Sequence, residues 1–255
     1  MAMKPNFFIV GAPRCGTTAL SEYLGAHPDI FISTPKEPHY FAKDLGEKCR
    51  FSQTLEDYLS LFRDVNESYI ALGEASVFYL YSSVALQEIK NFNPDAKLIA
   101  MIRNPVDLVY SLHAQWLYIK AEDQLNFENA WRLQASRRQG QNIPTDCSRC
   151  PEVLQYAEIA KLGSQIKKLL KVFPRSQVLV IRLDELASSP QKTYEKVLEF
   201  LNVTSDNRNS FHVSNNRKYT KFESTDDKLR NEIKNSFQEE IEKLSKLLNT
   251  DFSNW

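Results

Sequence analysis

Gly11-Ala-Pro-Arg-Cys-Gly-Thr-Thr18 is the stretch of sequence that decides the fold. It follows a short apolar run, Asn6 to Val10, which predicts a buried strand, and it precedes a helix expected to begin at about Thr17. In open α/β sheets, ligands bind outside the carboxyl ends of the strands. Backbone N–H groups of such a loop converge on one point and favour a phosphate there. The sequence therefore predicts an anion-binding loop after the first strand.

The loop is P-loop-like but departs from a P-loop in the residues that would handle a metal. After Gly16 come Thr17 and Thr18, where a P-loop has Lys followed by Ser or Thr. A P-loop kinase places that lysine on the β- and γ-phosphates and the next hydroxyl on Mg²⁺. The strand expected at Lys97–Ile102 ends in Arg103, whose charge repels Mg²⁺ and attracts a phosphate. An ordinary strand-to-helix turn is the alternative for the glycine spacing alone.

Strands and helices alternate along the rest of the chain. Apolar runs predict further strands at Ile70–Gly73, Lys97–Ile102 and Gln177–Ile181. Helices are expected from Pro105, with Asn104 as N-cap, and over Glu152–Val172, Gln191–Leu201 and a long terminal stretch from Leu229 to Leu248. Residues 26–41 and 139–151 are expected to be irregular. This order predicts an α/β fold, a single domain over residues 1–255 with a central, mostly parallel sheet flanked by helices.

The composition limits the partners of the protein. Its 255 residues are 42% hydrophobic and 25% charged, which is typical of a globular domain. Lys and Arg total 32 and Asp and Glu total 32, so the formal charge is zero. A protein that neutralises a nucleic-acid backbone over a broad face is usually basic. We therefore expect no nucleic-acid partner, and any anion must be bound by a local cluster of cations.

The sequence predicts neither a membrane anchor nor a metal site. The longest apolar runs are strand-sized, far below the roughly 20 residues that a spanning helix needs, and the N-terminus has no apolar signal core. We therefore expect a soluble, cytoplasmic protein. Cys147 and Cys150 have the spacing of a redox or zinc pair, but no second pair accompanies them. The expectation is a loop pair without metal, with a local disulfide as an alternative.

Arg103 and Ser111 form a second candidate anion site. Arg103 stands at a strand end, and the helix after it begins with N–H groups that have no partner within the helix. Ser111 lies seven residues past Asn104, about two turns along. Both side chains then lie on one side of the helix and are able to bind one anion together. The alternative is a surface ion pair for Arg103 and a solvated Ser111.

Lys36, Glu37 and His39 place a cation, a carboxylate and an imidazole within four residues. Pro35 and Pro38 limit the freedom of this segment, which suits side chains that must be held in position. A carboxylate or imidazole near an acceptor hydroxyl can remove its proton. Solvated Lys36 and Glu37 and a hydrogen-bonded loop histidine are the alternative.

Together these stretches resemble the sulfotransferase family that uses 3′-phosphoadenosine 5′-phosphosulfate. Gly11 to Leu20 is similar to that family's 5′-phosphosulfate loop, and Leu98 to Ser111 is similar to its 3′-phosphate segment. Lys36 to Phe41 is similar to the motif of the branch that includes heparan-sulfate sulfotransferases. Val178 to Leu186 and Asp251 to Trp255 also resemble family segments, so the resemblance runs nearly from end to end.

The resemblance implies an in-line transfer of a sulfuryl group from that donor to a hydroxyl or amine, without a metal, releasing adenosine 3′,5′-bisphosphate. It implies Glu37 as general base, with His39 as its orienter or as the alternative base. Arg14 stands where many members have a catalytic lysine, and Lys36 is a candidate for part of that role. The implied donor-binding residues are Arg14, Cys15, Gly16, Thr17, Thr18, Ala19, Arg103 and Ser111, and, as an approximate match to a late basic loop, Arg217 and Lys218.

The acceptor is less well defined than the donor. Several glycan-modifying members have Glu-Lys-Ser after the next strand, whereas this chain has Glu74-Ala-Ser76. We therefore expect a small molecule or a soluble glycan as acceptor. Glu74 is a second base, an acceptor contact or a structurally paired carboxylate. Nothing in the sequence predicts an oligomeric state.

Two alternatives to a sulfotransferase follow from the same residues. A nucleotide-dependent phosphoryl transferase would need Mg²⁺, and the missing lysine after Gly16 and the cation at Arg103 count against it. A catalytically silent nucleotide-binding homologue would keep the anion sites and lack turnover.

Overall fold

The computed structural model describes residues 3–212 and 227–255. The chain forms two compact units. The first unit consists of Met1–Asp44, Arg50–Arg103 and Leu169–Asn216. The second unit consists of Leu45–Cys49, Asn104–Lys168 and Arg217–Trp255. A single domain over residues 1–255 stays a prediction.

The first unit contains a five-stranded, wholly parallel sheet, which confirms the predicted α/β class. The strands are β1 Phe7–Gly11, β2 Ile30–Ile32, β3 Ala71–Glu74, β4 Lys97–Ile102 and β5 Val178–Arg182. Their order across the sheet is β2-β3-β1-β4-β5. β1 and all of β4 after its first residue are buried, as expected for parallel strands covered on both faces.

The strand β2 corrects the prediction that residues 26–41 are wholly irregular. It pairs with β3 over three residues, with Ile30 beside Ala71 and Ile32 beside Gly73. A three-residue strand among prolines carries too short an alternation to stand out in the sequence. The other strands begin and end within one residue of the predicted bounds, except β4, which matches them.

Helices of the first unit follow the strands. They are α1 Thr17–Gly25, α2 Leu55–Ser60, α3 Ala85–Phe92, α9 Leu183–Ser188 and α10 Pro190–Leu201, with a 3₁₀ turn at Arg175–Gln177. The helix α1 begins at the predicted Thr17, directly after Gly16. Thr54 and Asp57 form a reciprocal capping box at the start of α2.

The second unit is helical. Its helices are α4 Pro105–Tyr118, α5 Phe127–Arg132, α6 Gln134–Arg138, α7 Tyr156–Ile159, α11 Asp227–Ser236 and α12 Gln238–Leu248, with 3₁₀ turns at Glu47–Cys49 and Pro151–Leu154. One further helix, α8 Leu162–Val172, runs from this unit into the first. The predicted start of α4 is confirmed, because Pro105 is its first residue and the Asn104 side chain accepts a hydrogen bond from the Val106 amide. In residues 3–212 and 227–255, no helix has the length and apolar character that crossing a membrane requires.

Two predicted helices are broken. The predicted helix over Glu152–Val172 is interrupted because Gln155 leaves helical geometry, with a ψ of 70°, and its side chain donates to the Gln134 carbonyl. The predicted terminal helix is two helices, α11 and α12, because Phe237 between them has a ψ of 1°. The apolar stripe continues across Phe237, which is itself buried, so the sequence spacing gives no sign of the break.

The cysteine pairing differs from the suggested local disulfide. Cys49 and Cys150 form a disulfide across 101 residues, and Cys147 is a buried free thiol. The Cys147 Sγ atom donates to the Ala121 carbonyl at 3.3 Å. The disulfide holds the short segment Leu45–Cys49 to the rest of the second unit.

Cys49→Ser is expected to lower the free energy of unfolding by about 2–4 kcal/mol, because the disulfide closes a long loop and restricts the unfolded chain. For a chain of this size the melting temperature should fall by about 10 °C. Differential scanning calorimetry measures this shift, with Cys147→Ser as the control, expected to melt close to the wild type. An equal melting temperature in oxidising and reducing buffer would contradict a stabilising role of the disulfide.

Candidate active site

The loop between β1 and α1 has backbone conformations that its glycines permit. Gly11 has a φ of 132° and Gly16 a φ of 87°, and Arg14 between them has a φ of 62°. A Cβ atom on Gly11 would lie 2.3 Å from the Val77 carbonyl oxygen, so no larger residue fits there. The Ala12 amide donates to the Met101 carbonyl at 2.7 Å, which ties the loop to β4.

The first amides of α1 belong to the loop for which the sequence predicts phosphate binding. Leu20 donates the first hydrogen bond of α1, to the Gly16 carbonyl at 3.1 Å. The amides of Thr17, Thr18 and Ala19 precede that bond and, as first-turn N–H groups, point out of the N-terminus of the helix. Thr17 is buried and Thr18 half-buried. The helix start therefore offers several donors to one anion.

Arg103 forms a hydrogen bond with this loop. It follows β4 directly and is half-buried, and its Nη1 atom donates to the Arg14 carbonyl at 3.4 Å. Burial raises the pKa of the Cys15 thiol to about 12, against the opposing positive charges of Arg103 and Arg14. Both cations therefore act on the centre of the loop, and Cys15 stays a neutral thiol. Cys15 can serve an anion through its backbone N–H rather than its side chain.

Lys36, Glu37 and His39 form one contact network. Lys36 Nζ contacts Glu37 Oε1, and His39 Nε2 lies 3.2 Å from Glu37 Oε2. The His39 side chain is 1% exposed and that of Glu37 is 30% exposed. The imidazole packs against the ring of Phe78, with 5.2 Å between centroids. The sequence hypothesis that His39 orients Glu37 is consistent with this geometry.

The network holds Glu37 ionised. Burial raises the pKa of Glu37, but the hydrogen bond with His39 and the positive charge of Lys36 outweigh it and lower the pKa to about 2. The carboxylate is therefore unprotonated, as a proton acceptor must be, at any working pH. It is a weak base while Lys36 is paired with it.

Glu37, the loop and Arg103 all lie at the carboxyl ends of the strands. The loop follows β1 and Arg103 follows β4, and the segment with Glu37 is bonded to the end of β3, where the Ala75 amide donates to the Lys36 carbonyl at 2.7 Å. The strands β3, β1 and β4 are adjacent and parallel, so their carboxyl ends share an edge. This is the edge at which open α/β sheets bind ligands.

The other sequence candidates are Ser111, Arg217, Lys218 and Glu74. Ser111 is half-buried on α4, which belongs to the second unit. Arg217 and Lys218 lie outside the described residues. Glu74 is fully buried and accepts hydrogen bonds from neighbouring hydroxyls, which matches the alternative of a structurally paired carboxylate. Within the described ranges, no group of three or more His, Cys, Asp or Glu side chains could hold a metal ion.

The chain is similar to known sulfotransferases. Residues 4–254 match the sulfotransferase domain family. The chain is 30% identical to carbohydrate sulfotransferase 15 of Mus musculus, over 78% of this chain and 44% of that protein. It is 25% identical to the bifunctional heparan sulfate N-deacetylase/N-sulfotransferase 2 of Homo sapiens, over 78% of this chain and 22% of that protein. A crystal structure of a sulfotransferase from Alicyclobacillus acidocaldarius aligns with a TM-score of 0.84 and 31% identity, over 99% of both chains. The chain thus spans less than half the length of these two curated relatives.

Proposed function

Because the chain belongs to the sulfotransferase domain family, we propose that it transfers a sulfuryl group from 3′-phosphoadenosine 5′-phosphosulfate to a hydroxyl or amine of an acceptor. The observation that carries this proposal is the hydrogen bond from Arg103 to the Gly11–Thr18 loop, at the same end of the sheet as the segment that contains Glu37. A loop rich in N–H donors and two arginines suits a nucleotide with phosphate at both its 3′ and 5′ ends.

The donor supplies an activated sulfuryl group when bound. Its 5′ end fits the amides of Thr17 to Ala19 and the charge of Arg14, and Arg103 is assigned to its 3′-phosphate. Negative charge grows on the leaving phosphate during transfer, so a cation beside it stabilises the transition state more than the ground state. Arginine suits this electrostatic role, although it does not readily donate a proton.

Glu37 is assigned as the general base. Its carboxylate accepts the acceptor's proton, while the contact with His39 keeps the carboxylate in one orientation. Lys36, which is paired with Glu37 in this structure, is the cation assigned to turn towards the sulfuryl group. That movement would take the positive charge of Lys36 away from Glu37. The pKa of Glu37 would then rise, which makes its carboxylate a stronger base.

Arg103→Ala is expected to weaken the binding of adenosine 3′,5′-bisphosphate by about 10–100-fold, the usual effect of losing a hydrogen bond between charged groups. The affinity for adenosine 5′-monophosphate, which has no 3′-phosphate, should change by less than about threefold. Isothermal titration calorimetry measures both, with Arg63→Ala, an exposed arginine of the first unit, as the control. Equal losses for the two nucleotides would contradict the assignment of Arg103.

The acceptor class is proposed as a small molecule or a glycan. The curated relatives named above are a carbohydrate sulfotransferase and a heparan sulfate sulfotransferase, which favours a sugar hydroxyl or amine. A screen of soluble glycans and small phenols or alcohols with labelled donor sulfate, followed by mass spectrometry of the product, identifies the acceptor. Transfer to none of them, with donor binding intact, would instead favour a catalytically silent nucleotide-binding homologue.

A further inference from the structure

Glu74 is a buried carboxylate that the proposed transfer does not use. It ends β3 and is 0% exposed. Its Oε1 atom accepts hydrogen bonds from the Tyr79 hydroxyl at 2.7 Å and the Tyr58 hydroxyl at 3.1 Å, and its Oε2 atom accepts one from the Ser76 hydroxyl. The carboxylate therefore accepts hydrogen bonds from three hydroxyls. Burying a charged group costs free energy, so a buried carboxylate is expected to have a role in the protein.

Two of these hydroxyls also hold the segment that carries Glu37. The Ser76 hydroxyl oxygen accepts a hydrogen bond from the His39 amide at 2.9 Å, and the Tyr79 hydroxyl oxygen accepts one from the Phe41 amide at 3.3 Å. A hydroxyl has a single proton. Because each proton is donated to Glu74, the oxygen lone pairs are left to accept from the amides.

The segment needs such restraint. His39 has a φ of 52°, which side chains other than glycine adopt at a cost, and its ring packs on Phe78 and Tyr79. The Lys36 carbonyl is bonded to the Ala75 amide at 2.7 Å. Glu37 thus stands between anchors at residues 36, 39 and 41, and two of those three depend on hydroxyls that Glu74 orients.

We propose that Glu74 is a positioning residue for the sulfuryl transfer: its carboxylate orients the hydroxyls of Ser76 and Tyr79, which in turn hold the His39–Phe41 backbone and so keep Glu37 in place. This inference rests on the proposed function, in which Glu37 is the base. Glu74 touches neither substrate. Its effect reaches the reaction through the geometry of Glu37, where displacements of about 1 Å can cost about 100-fold in rate.

Protonation of Glu74 would undo this arrangement, because a carboxylic acid donates a hydrogen bond and one hydroxyl would have to turn. Burial raises the pKa of Glu74 to about 7, although the hydrogen bonds from Ser76, Tyr79 and Tyr58 oppose it. The groups that face Glu74 are those three hydroxyls and the backbone amide of Ser76, and its register partner on β1 is the apolar Phe8. Turnover should therefore fall as the pH drops through about 7.

The test compares Glu74→Gln, Ser76→Ala and Tyr58→Phe with the wild type. Glu74→Gln and Ser76→Ala should each lower kcat by about 10–100-fold. The donor KM and the affinity for adenosine 3′,5′-bisphosphate should stay within about threefold. In Glu74→Gln the inflection of kcat near pH 7 should disappear. The double variant Glu74→Gln/Ser76→Ala should be no slower than Glu74→Gln alone, since the anchor lost in Ser76→Ala is one of the two that Glu74 orients.

Tyr58→Phe is the matched control, because it removes a hydroxyl that bonds to Glu74 and keeps the ring that packs on Tyr40 and Phe41. It should keep the high-pH plateau of kcat and move the inflection to higher pH, since one donor to the carboxylate is lost. If Glu74→Gln does not fold, as judged by its melting transition, Ser76→Ala carries the test with the carboxylate intact.

A wild-type kcat in Ser76→Ala, or a wild-type kcat and pH profile in Glu74→Gln, would overturn the positioning role and leave Glu37 as the base. An inflection near pH 7 that persists in Glu74→Gln would also overturn it, because another group would then cause the inflection. Wild-type turnover in Glu37→Gln would instead overturn the proposed function on which the inference rests, so the two failures are distinguishable.

Discussion

Glu37→Gln is expected to lower turnover by about 1000-fold while the affinity for adenosine 3′,5′-bisphosphate changes by less than about threefold. The amide has nearly the size of the carboxylate but cannot take up the acceptor's proton. His39 and Lys36 stay in place beside it, so the binding of the nucleotide should survive. Steady-state kinetics with labelled donor and calorimetry with the bisphosphate measure the two effects on the same preparation.

The control for this variant is Glu88→Gln, which removes a carboxylate paired with Lys43 on the surface of the first unit. It should leave turnover unchanged. Undiminished turnover in Glu37→Gln would exclude Glu37 as the base and make His39 the candidate. A parallel loss of bisphosphate affinity would show that the change had disturbed the nucleotide site rather than proton transfer.

Lowering the pH should weaken the contacts of Glu37 with Lys36 and His39. The pKa of Glu37 in the folded chain is about 2 and its ordinary value is 4.5. Its contacts therefore stabilise the fold fully above pH 4.5, and that stabilisation is lost as the pH falls towards 2. Glu37 stays ionised throughout the neutral range, so an acid limb of activity near pH 7 points to Glu74, whose folded pKa is raised.

Gly11→Ala is expected to lower the free energy of unfolding by about 3 kcal/mol or more. The new Cβ would lie 2.3 Å from the Val77 carbonyl oxygen, in a backbone conformation with a φ of 132° that side chains rarely adopt. The melting temperature should fall by about 10 °C. The loop that is proposed to bind the 5′-phosphate would be displaced as well, so bisphosphate binding should be lost at concentrations that saturate the wild type.

Gly25→Ala is the matched control in the same unit. A Cβ there would meet its nearest neighbour, Ile32, at 3.6 Å, an ordinary van der Waals distance. This variant should melt within a few degrees of the wild type and bind the nucleotide normally. If both alanine variants behaved alike, the special backbone geometry of Gly11 would have no role in stability or binding.

The parts of the fold that the sequence predicted are those with strong local signals. The strand at Lys97–Ile102 is a continuous apolar run, and the helix after it has both Asn104 as N-cap and Pro105 as first residue. The helix after the loop begins at Thr17 because Gly16 permits the left-handed turn before it. In each case the cause of the structure lies within a few residues of its effect.

The wrong predictions have causes that are distant in sequence. Cys49 pairs with Cys150 across 101 residues, and spacing alone cannot indicate the partner. The helix predicted over Glu152–Val172 breaks where the Gln155 side chain bonds to Gln134, although the apolar spacing continues. Tertiary contacts override local propensity at such positions.

In the candidate site, too, local motifs are visible in the sequence and contacts between distant residues are not. Motifs in the sequence predict roles for Glu37, His39 and Arg103, and those roles stay predictions. The link from Glu74 through Ser76 to the His39 amide exists only in three dimensions. The roles of Ser111, Arg217 and Lys218 at the donor stay predictions, as do a cytoplasmic location and an acceptor that is a small molecule or glycan. The raised pKa of Glu74 follows from burial, which composition does not reveal.

Calorimetric titration of the wild-type chain with adenosine 3′,5′-bisphosphate, in buffer containing a chelator of divalent metals, tests the central claim most directly. We expect saturable binding without metal, at least about tenfold tighter than that of adenosine 5′-monophosphate, because the loop and Arg103 are each proposed to bind one phosphate. No heat at millimolar bisphosphate, or tighter binding of ATP with Mg²⁺, would contradict it.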